Sequence, residues 1–333
     1  MPKLDIIVTH YDETYTTIRG FFNMLSIQRG VNFDDINLII VQDGKNDYPW
    51  FEWLNMFPVY FYDRIKLYTI EHSGVSTARN TGLSRATSDW VMFCDCDDML
   101  YSADSLYRIL TSIDQAGDRA DMLWSPFWIE YAGKSWHKVL KEWNTVFIHG
   151  KIYRREFLTA NQITFDPSIS YAEDALFNAE VAMCINPGRI ARIPETIYMW
   201  CYRENSLTTT PERQAQRNLD LYSMRLKRSE LYDKHGMHYE AETSAVRTIM
   251  DYYWELNGSD NPPDGGTAQE WHDRVQHVFD LYPDCCDNIT TIDWNKLCQV
   301  TESEARAKRF YRDNIPSIDD WILQFRNGGE HNA

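Results

Sequence analysis

Three short acidic signatures punctuate the first hundred residues: Thr9-His10-Tyr11-Asp12, Gln42-Asp43-Gly44 and Asp95-Cys96-Asp97-Asp98. Each follows a run of apolar residues, so each falls where a buried strand ends. Carboxylates converging on one rim repel each other and are costly unless a cation or several donors sit among them. A hard divalent ion such as Mn2+ or Mg2+ favours carboxylate oxygens and would carry a phosphorylated ligand with it. Asp43 alone fits helix capping or turn chemistry equally well, whereas the Asp95-x-Asp97-Asp98 cluster fits it less. Arg79 adds a cation. In a helix starting after Gly74, Val75, Arg79, Gly82, Leu83 and Ala86 share one face. That face packs on the sheet, with Gly82 allowing close approach, and leaves Arg79 needing a carboxylate or a phosphate. An internal salt bridge to Asp43 or Asp95 and direct contact with a phosphate both remain open.

The elements that must position these groups alternate. Residues 4–9, 36–41, 64–70 and 89–94 read as strands, and 14–28 and 75–86 as helices, the first with Ile18, Phe21, Phe22 and Leu25 on one side. Near-continuous apolar strands alternating with helices predict an α/β fold, a mostly parallel sheet covered on both faces. In such sheets ligands bind beyond the carboxyl ends of the strands, where the acidic signatures lie. The middle of the chain mixes helices with β-rich segments over 122–131 and 196–202. Beyond Pro211 the character changes: Leu219, Tyr222 and Leu226, then Val246, Ile249, Met250, Tyr253 and Trp254, recur at helical spacing. Residues 257–266 read as a loop, and 271–282 and 302–312 as further helices. Two regions are therefore expected, 1–210 and an α-rich 211–333.

Composition excludes several classes. The chain has 333 residues, 44% hydrophobic and 25% charged, which is an ordered globular mixture. Its 49 acidic and 33 basic residues give a net charge of −16, which argues against broad binding of a nucleic-acid backbone. No run approaches the ~18–20 apolar residues of a membrane-spanning helix. Asp5 and Asp12 confine the first apolar segment to strand length, so no signal peptide is read there. The seven cysteines are scattered without paired C-x2-C motifs, as expected of reduced thiols in a cytoplasmic protein.

In order and spacing, these segments resemble the family 2 glycosyltransferases with a GT-A fold. The resemblance rests on Ile6-Ile7-Val8-Thr9-His10-Tyr11-Asp12, Ile39-Ile40-Val41-Gln42-Asp43-Gly44, Gly74-Val75-Ser76-Thr77-Ala78-Arg79-Asn80-Thr81-Gly82 and Phe93-Cys94-Asp95-Cys96-Asp97-Asp98. It continues in Gly150-Lys151-Ile152-Tyr153-Arg154-Arg155 and Tyr171-Ala172-Glu173-Asp174, and runs to about Arg203. It implies a Rossmann-like domain, a nucleotide-sugar donor (usually UDP-linked) and Mn2+ or Mg2+. Carried over residue by residue, Thr9, Tyr11 and Asp43 line the base and ribose pocket, and Arg79 and Asp95 lie beside the nucleotide. Asp97, with Asp95, holds the metal that bridges the phosphates. Arg203 lies in a segment that closes over the donor and would neutralise the leaving diphosphate. The chain departs from the family at Thr9 (usually Pro), Asp12 (often Asn), Gln42 (often Asp) and Cys96.

Glycosyl transfer by direct displacement needs a base on the acceptor hydroxyl and a cation on the departing phosphate. Asp174 opens a helix near its positive end, which favours an ionised carboxylate. Position alone fits an acid that merely complements the helix dipole. The resemblance makes Asp174 the base, because the family's catalytic Asp occupies this Glu-Asp step, and it implies inversion at the anomeric carbon. It gives Lys151 a structural or acceptor-side role. The expected acceptor is a glycan, a polymer or another hydroxyl compound, with residues 211–333 shaping the acceptor site or a homo-oligomer interface. A transferase for a hydroxylated nucleic-acid base or a protein, and a non-catalytic glycan-binding or scaffold domain, are the alternatives.

Overall fold

The computed structural model describes residues 1–44, 55, 57–131, 137–204, 206, 210, 214–258, 267–307 and 315–326. The chain divides into two compact units, Met1–Thr209 and Thr210–Ala333.

In the first unit, apolar runs form β1 (Leu4–His10), β2 (Ile36–Asp43), β3 (Ile65–Ile70) and β4 (Trp90–Asp95). They join β6 (Met122–Trp124), β9 (Lys151–Arg154) and β10 (Ile190–Arg192) in a seven-stranded sheet ordered β10-β6-β9-β4-β1-β2-β3. Every neighbour pair is parallel except those of β9, which runs antiparallel to β4 and β6. This is the mostly parallel α/β sheet that the apolar strands predict.

Strand alternation sends side chains into two cores. Leu4, Ile6 and Val8 meet α1 (Tyr15–Ser26) and α3 (Ser105–Ala116) on one face. Ile7, Val91 and Phe93 meet α2 (Val75–Arg85), α4 (Arg155–Ala160) and α5 (Glu173–Cys184) on the other. Helix α1 stops at Ser26 rather than residue 28, because Gln28 turns its amide to the carbonyls of Met24 and Ser102 and accepts from Leu106 N. At Gly82 an added Cβ would lie 2.3 Å from Ile7 Cγ2, so only glycine lets α2 sit this close to β1. The segment read as one β-rich stretch over 122–131 supplies two sheets. β7 (Phe127–Tyr131) joins β5 (Met99–Leu100), β8 (His137–Lys141) and β11 (Tyr198–Trp200) in a separate four-stranded sheet.

The second unit is helical: α6 (Gln214–Lys234), α7 (His238–Gly258), α8 (Ala268–Leu281), α9 (Cys285–Asn288), α10 (Thr291–Ala307) and α11 (Ile318–Arg326). Its core gathers Val246, Ile249, Met250 and Tyr253 from α7 with Trp271 and Val275 from α8. Of the loop read over 257–266, residues 257 and 258 belong instead to α7, and residues 259–266 lie outside those described. The helix read over 302–312 is the end of the longer α10, and residues 308–312 lie outside those described. Among the described residues no helix is long and apolar enough to cross a membrane.

Candidate active site

The parallel register sets the rim. Thr9 on β1 pairs with Val41 on β2 and with Asp95 on β4, so the ends of the three strands carrying the acidic signatures stand side by side. Thr9 Oγ1 lies 3.5 Å from Asp95 Oδ1.

Arg79 ties this rim to α5. Its guanidinium is 4% exposed; Nη2 donates to Asp95 Oδ1 at 2.8 Å and Nη1 to Glu173 Oε1 at 2.6 Å. The ring of Phe165 lies 5.2 Å from its central carbon. Burial works against the charged guanidinium, but Asp95 and Glu173 outweigh it and raise its pKa above the ordinary value. Burial likewise pushes the Asp95 carboxyl up, while Arg79, His149 and the bonds from Arg79 and Thr9 leave it below the usual carboxylate range. Of the partners open to Arg79, the bridge to Asp95 forms and that to Asp43 does not.

Asp43 is engaged elsewhere. Its two oxygens accept from Ser73 N at 2.7 Å and Gly74 N at 2.9 Å, and His72 Nδ1 lies 3.0 Å away. The carboxylate therefore holds the turn into α2, whose cap Gly74 has φ +87°. His72 in turn stacks on Tyr11, with ring centroids 4.2 Å apart at 19°, and Tyr11 keeps 46% of its surface exposed. Gly44 has φ +98°, and a Cβ there would lie 3.5 Å from His72 Cβ and 3.7 Å from Tyr11 Cε2. Tyr11 and Asp43 thus lie together around an exposed aromatic shelf.

Asp97 sits across the strand end, with its Oδ2 2.9 Å from Arg203 Nε. Arg203 Nη2 is 3.2 Å from Glu13 Oε1, and Glu13 Oε2 accepts from Tyr11 N at 2.9 Å. Burial first, then Asp95 and Glu13, push Asp97 up to about 7 against the pull of Arg203. Cys96 is buried in the core, its thiol 3.4 Å from Glu13 Oε2. Asp98 is consumed by packing: it accepts from Tyr198 Oη at 2.6 Å and Cys201 N at 2.9 Å. Asp95, Asp98 and His149 each bring one donor atom within 4.8 Å of the others. Burial and the neighbouring Asp97 and Asp95 drive Asp98 well above the carboxylate range, and His149 is stacked on Phe147 and Tyr198.

Asp174 stands in the first turn of α5. The preceding Ala172 has left-handed backbone (φ 66°, ψ 22°), which turns the chain into the helix without a side-chain cap. The expectation that the helix end keeps Asp174 ionised is outweighed. Burial, and then Glu173, push its carboxyl up to about 7, with Arg79 and Lys151 pulling the other way. A group poised there at neutral pH suits a general base better than one near 4.

Sequence reasoning missed Glu173 and Glu13 as parts of the site. Glu173 had one signal, its place beside Asp174; Glu13 lies in a loop whose spacing carries none.

Comparison with known proteins identifies the family. The model of glycosyl transferase family 2 matches residues 5–177, just over half of the 333-residue chain. The chain belongs to that family. Its match to GgaA of Bacillus subtilis, a minor teichoic acid biosynthesis protein, is 29% identical over 164 residues, 43% of this chain and 35% of GgaA. TarP of Staphylococcus aureus, a poly(ribitol-phosphate) β-N-acetylglucosaminyltransferase, is 26% identical over 199 residues, 55% of this chain and 58% of TarP. The chain spans less than two thirds of either relative. The family fold is shared with residues 1–349 of S. aureus TarS in complex with UDP-GlcNAc, at TM-score 0.63 and 18% identity over 99% of this chain and 93% of that one. A mannosyltransferase from Pyrobaculum calidifontis, in complex with GDP-Man and Mn2+, aligns at TM-score 0.50 and 15% identity over 94% of this chain and 88% of that one.

The residues present fit a divalent cation. Asp97 is a hard oxygen donor pushed up to about 7 by burial first and then by Asp95 and Glu13, and an added positive charge would relieve the acidic share. Asp95, ionised and 26% exposed, is the second such donor.

Proposed function

We propose that this chain transfers a sugar from a UDP-linked donor to a hydroxyl of a glycan or polymer, with inversion at the anomeric carbon. The observation that carries the reading is the buried Arg79 bridge, which joins Asp95, on the nucleotide side, to Glu173, the neighbour of Asp174. One rigid cation thereby couples the donor carboxylates to the base.

In this reading Tyr11 and His72 offer a stacking surface to the base of the nucleotide, with Thr9 and Asp43 at its edge. Asp97 and Asp95 would hold Mn2+ or Mg2+, whose chemistry is to stabilise negative charge on the diphosphate. Arg203, paired with Asp97 and Glu13, brings a second positive group to the same side. Asp174 accepts the proton of the acceptor hydroxyl. As that oxygen bonds to the anomeric carbon, the bond from carbon to the phosphate oxygen breaks and its electron pair leaves with UDP. One structural neighbour is in complex with UDP-GlcNAc and another with GDP-Man; a relative named a poly(ribitol-phosphate) transferase and one named for minor teichoic acid biosynthesis favour a polymeric acceptor here.

The reading is tested by UDP release from UDP-sugars, with and without Mn2+, and by the anomeric configuration of the product by proton NMR. Metal-dependent release with an inverted product is expected. A retained configuration would overturn direct displacement by Asp174.

A further inference from the structure

A buried cation lies across from Asp174 that the steps above leave unused. Lys151, on β9, is 2% exposed, and lysine is rarely buried without a charged partner. Its Nζ donates to the carbonyl of Phe147 and stands 5.4 Å from the ring centre of Trp124, both uncharged.

The parities of strand and helix identify what it faces. Lys151 and Tyr153 are two apart on β9 and project to the same side. Asp174 and Asn178 are four apart on α5 and lie one above the other. Tyr153 Oη donates to Asn178 Oδ1 at 2.8 Å, which sets strand against helix and brings Lys151 opposite Asp174. Asn178 Nδ2 closes the ring, donating to Val146 O at 2.8 Å and Asp174 O at 2.9 Å, beside the Phe147 carbonyl that holds Lys151.

Resting on the reading of Asp174 as the base, we infer that Lys151 is its positioning residue: the buried ammonium is a counter-charge that, with Arg79, keeps the Asp174 carboxylate ionised. Of the other groups facing Asp174, Glu173 opposes ionisation and the Tyr153 hydroxyl is spent on Asn178. Arg79 favours ionisation too, but its hydrogen bonds go to Asp95 and Glu173, whereas Lys151 bonds only an uncharged carbonyl among the described residues. Around Lys151 the titratable neighbours are Asp174 and His149, and burial holds His149 down at about 4, neutral at working pH. The direction is consistent from both sides. Burial pulls Lys151 down to about 7 while Asp174 raises it, and Lys151 pulls Asp174 down against burial and Glu173.

The test reads Asp174 directly, by 13C NMR of carboxyl-labelled aspartate, with its resonance identified by loss in Asp174→Asn. Lys151→Met removes the charge, and Lys151→Gln removes it while keeping a donor for Phe147 should the Met variant not fold. Either variant is expected to move the Asp174 midpoint upward by about one pH unit or more, and the acidic limb of kcat/KM with it. Lys151→Arg is expected to bring both back toward wild type, and UDP affinity to stay within about twofold throughout. An unmoved midpoint with reduced turnover would make Lys151 merely structural and overturn the inference. Wild-type turnover by Asp174→Asn would instead sink the base assignment, and the NMR midpoint alone would then decide whether Lys151 is the counter-charge.

Discussion

Replacing Arg79 with Met removes the cation that both Asp95 and Glu173 use, while filling most of its volume. Breaking a buried ion pair by deleting one partner typically costs about 3–5 kcal/mol, because a desolvated charge is left behind. Two carboxylates are orphaned here, but Asp95 is 26% exposed and water recovers part of its share. The expected loss is therefore at the lower end, about 3 kcal/mol. For a unit the size of Met1–Thr209, at ~2–4 °C per kcal/mol, that is a fall in Tm of roughly 6–12 °C. The loss also has a pH signature. Asp95 lies below its ordinary value of 3.8 in the folded protein, so its contribution is fully present above that value and vanishes as pH falls through the folded one. The gap between wild type and variant should be full at pH 7 and narrow below about pH 4. Urea denaturation followed by tryptophan fluorescence at several pH values measures it. A loss under about 1 kcal/mol at neutral pH, or a gap indifferent to acid, would mean that the bridge does not organise the site. Arg79→Lys should recover only part of the loss, since an ammonium cannot serve both carboxylates as a fork does.

Three further outcomes are expected. Asp174→Asn should lower kcat by ~10²–10⁴-fold with UDP affinity near wild type, and the wild-type kcat/KM should fall below about pH 7 as Asp174 takes its proton; equal loss of donor binding would contradict the role. Asp97→Ala should weaken UDP binding by about tenfold or more with Mn2+ and little without it, by calorimetry; full metal-dependent turnover would exclude Asp97 as a ligand. Gly82→Ala should cost about 1–3 kcal/mol in denaturation, since its Cβ meets Ile7 Cγ2 at 2.3 Å and α2 must shift.

Much of the site was legible because strand ends are. Apolar runs ending in Thr9, Asp43 and Asp95 sit in parallel register, and the helical face shared by Arg79 and Gly82 follows from a period of 3.6 residues. That arithmetic identifies Arg79 as buried and in need of a carboxylate. It does not choose which: Glu173 lies 94 residues away, and only the packing of α5 brings it in. Asp43 was ambiguous because the same carboxylate can cap a turn or line a pocket, and its bonds to residues 73 and 74 do the first. The antiparallel β9 and the second sheet were not separable from short apolar segments. Nor was the ionisation of Asp174: the helix-end rule favours the carboxylate, and burial beside Glu173, a tertiary property, reverses it. For Lys151 the motif left a structural and an acceptor-side role side by side, because the packing of β9 on α5 through Tyr153 and Asn178 is a tertiary property.

The most direct measurement is a thermal-shift panel of UDP-, GDP-, dTDP- and CMP-sugars, each with and without Mn2+. A donor at about a hundred times its Kd should stabilise the protein by about 2.7 kcal/mol, and a rise confined to UDP-sugars and to samples with the metal is expected. No rise with any donor, or a rise indifferent to Mn2+, would contradict a metal-dependent nucleotide-sugar transferase at the Asp95–Asp97 rim.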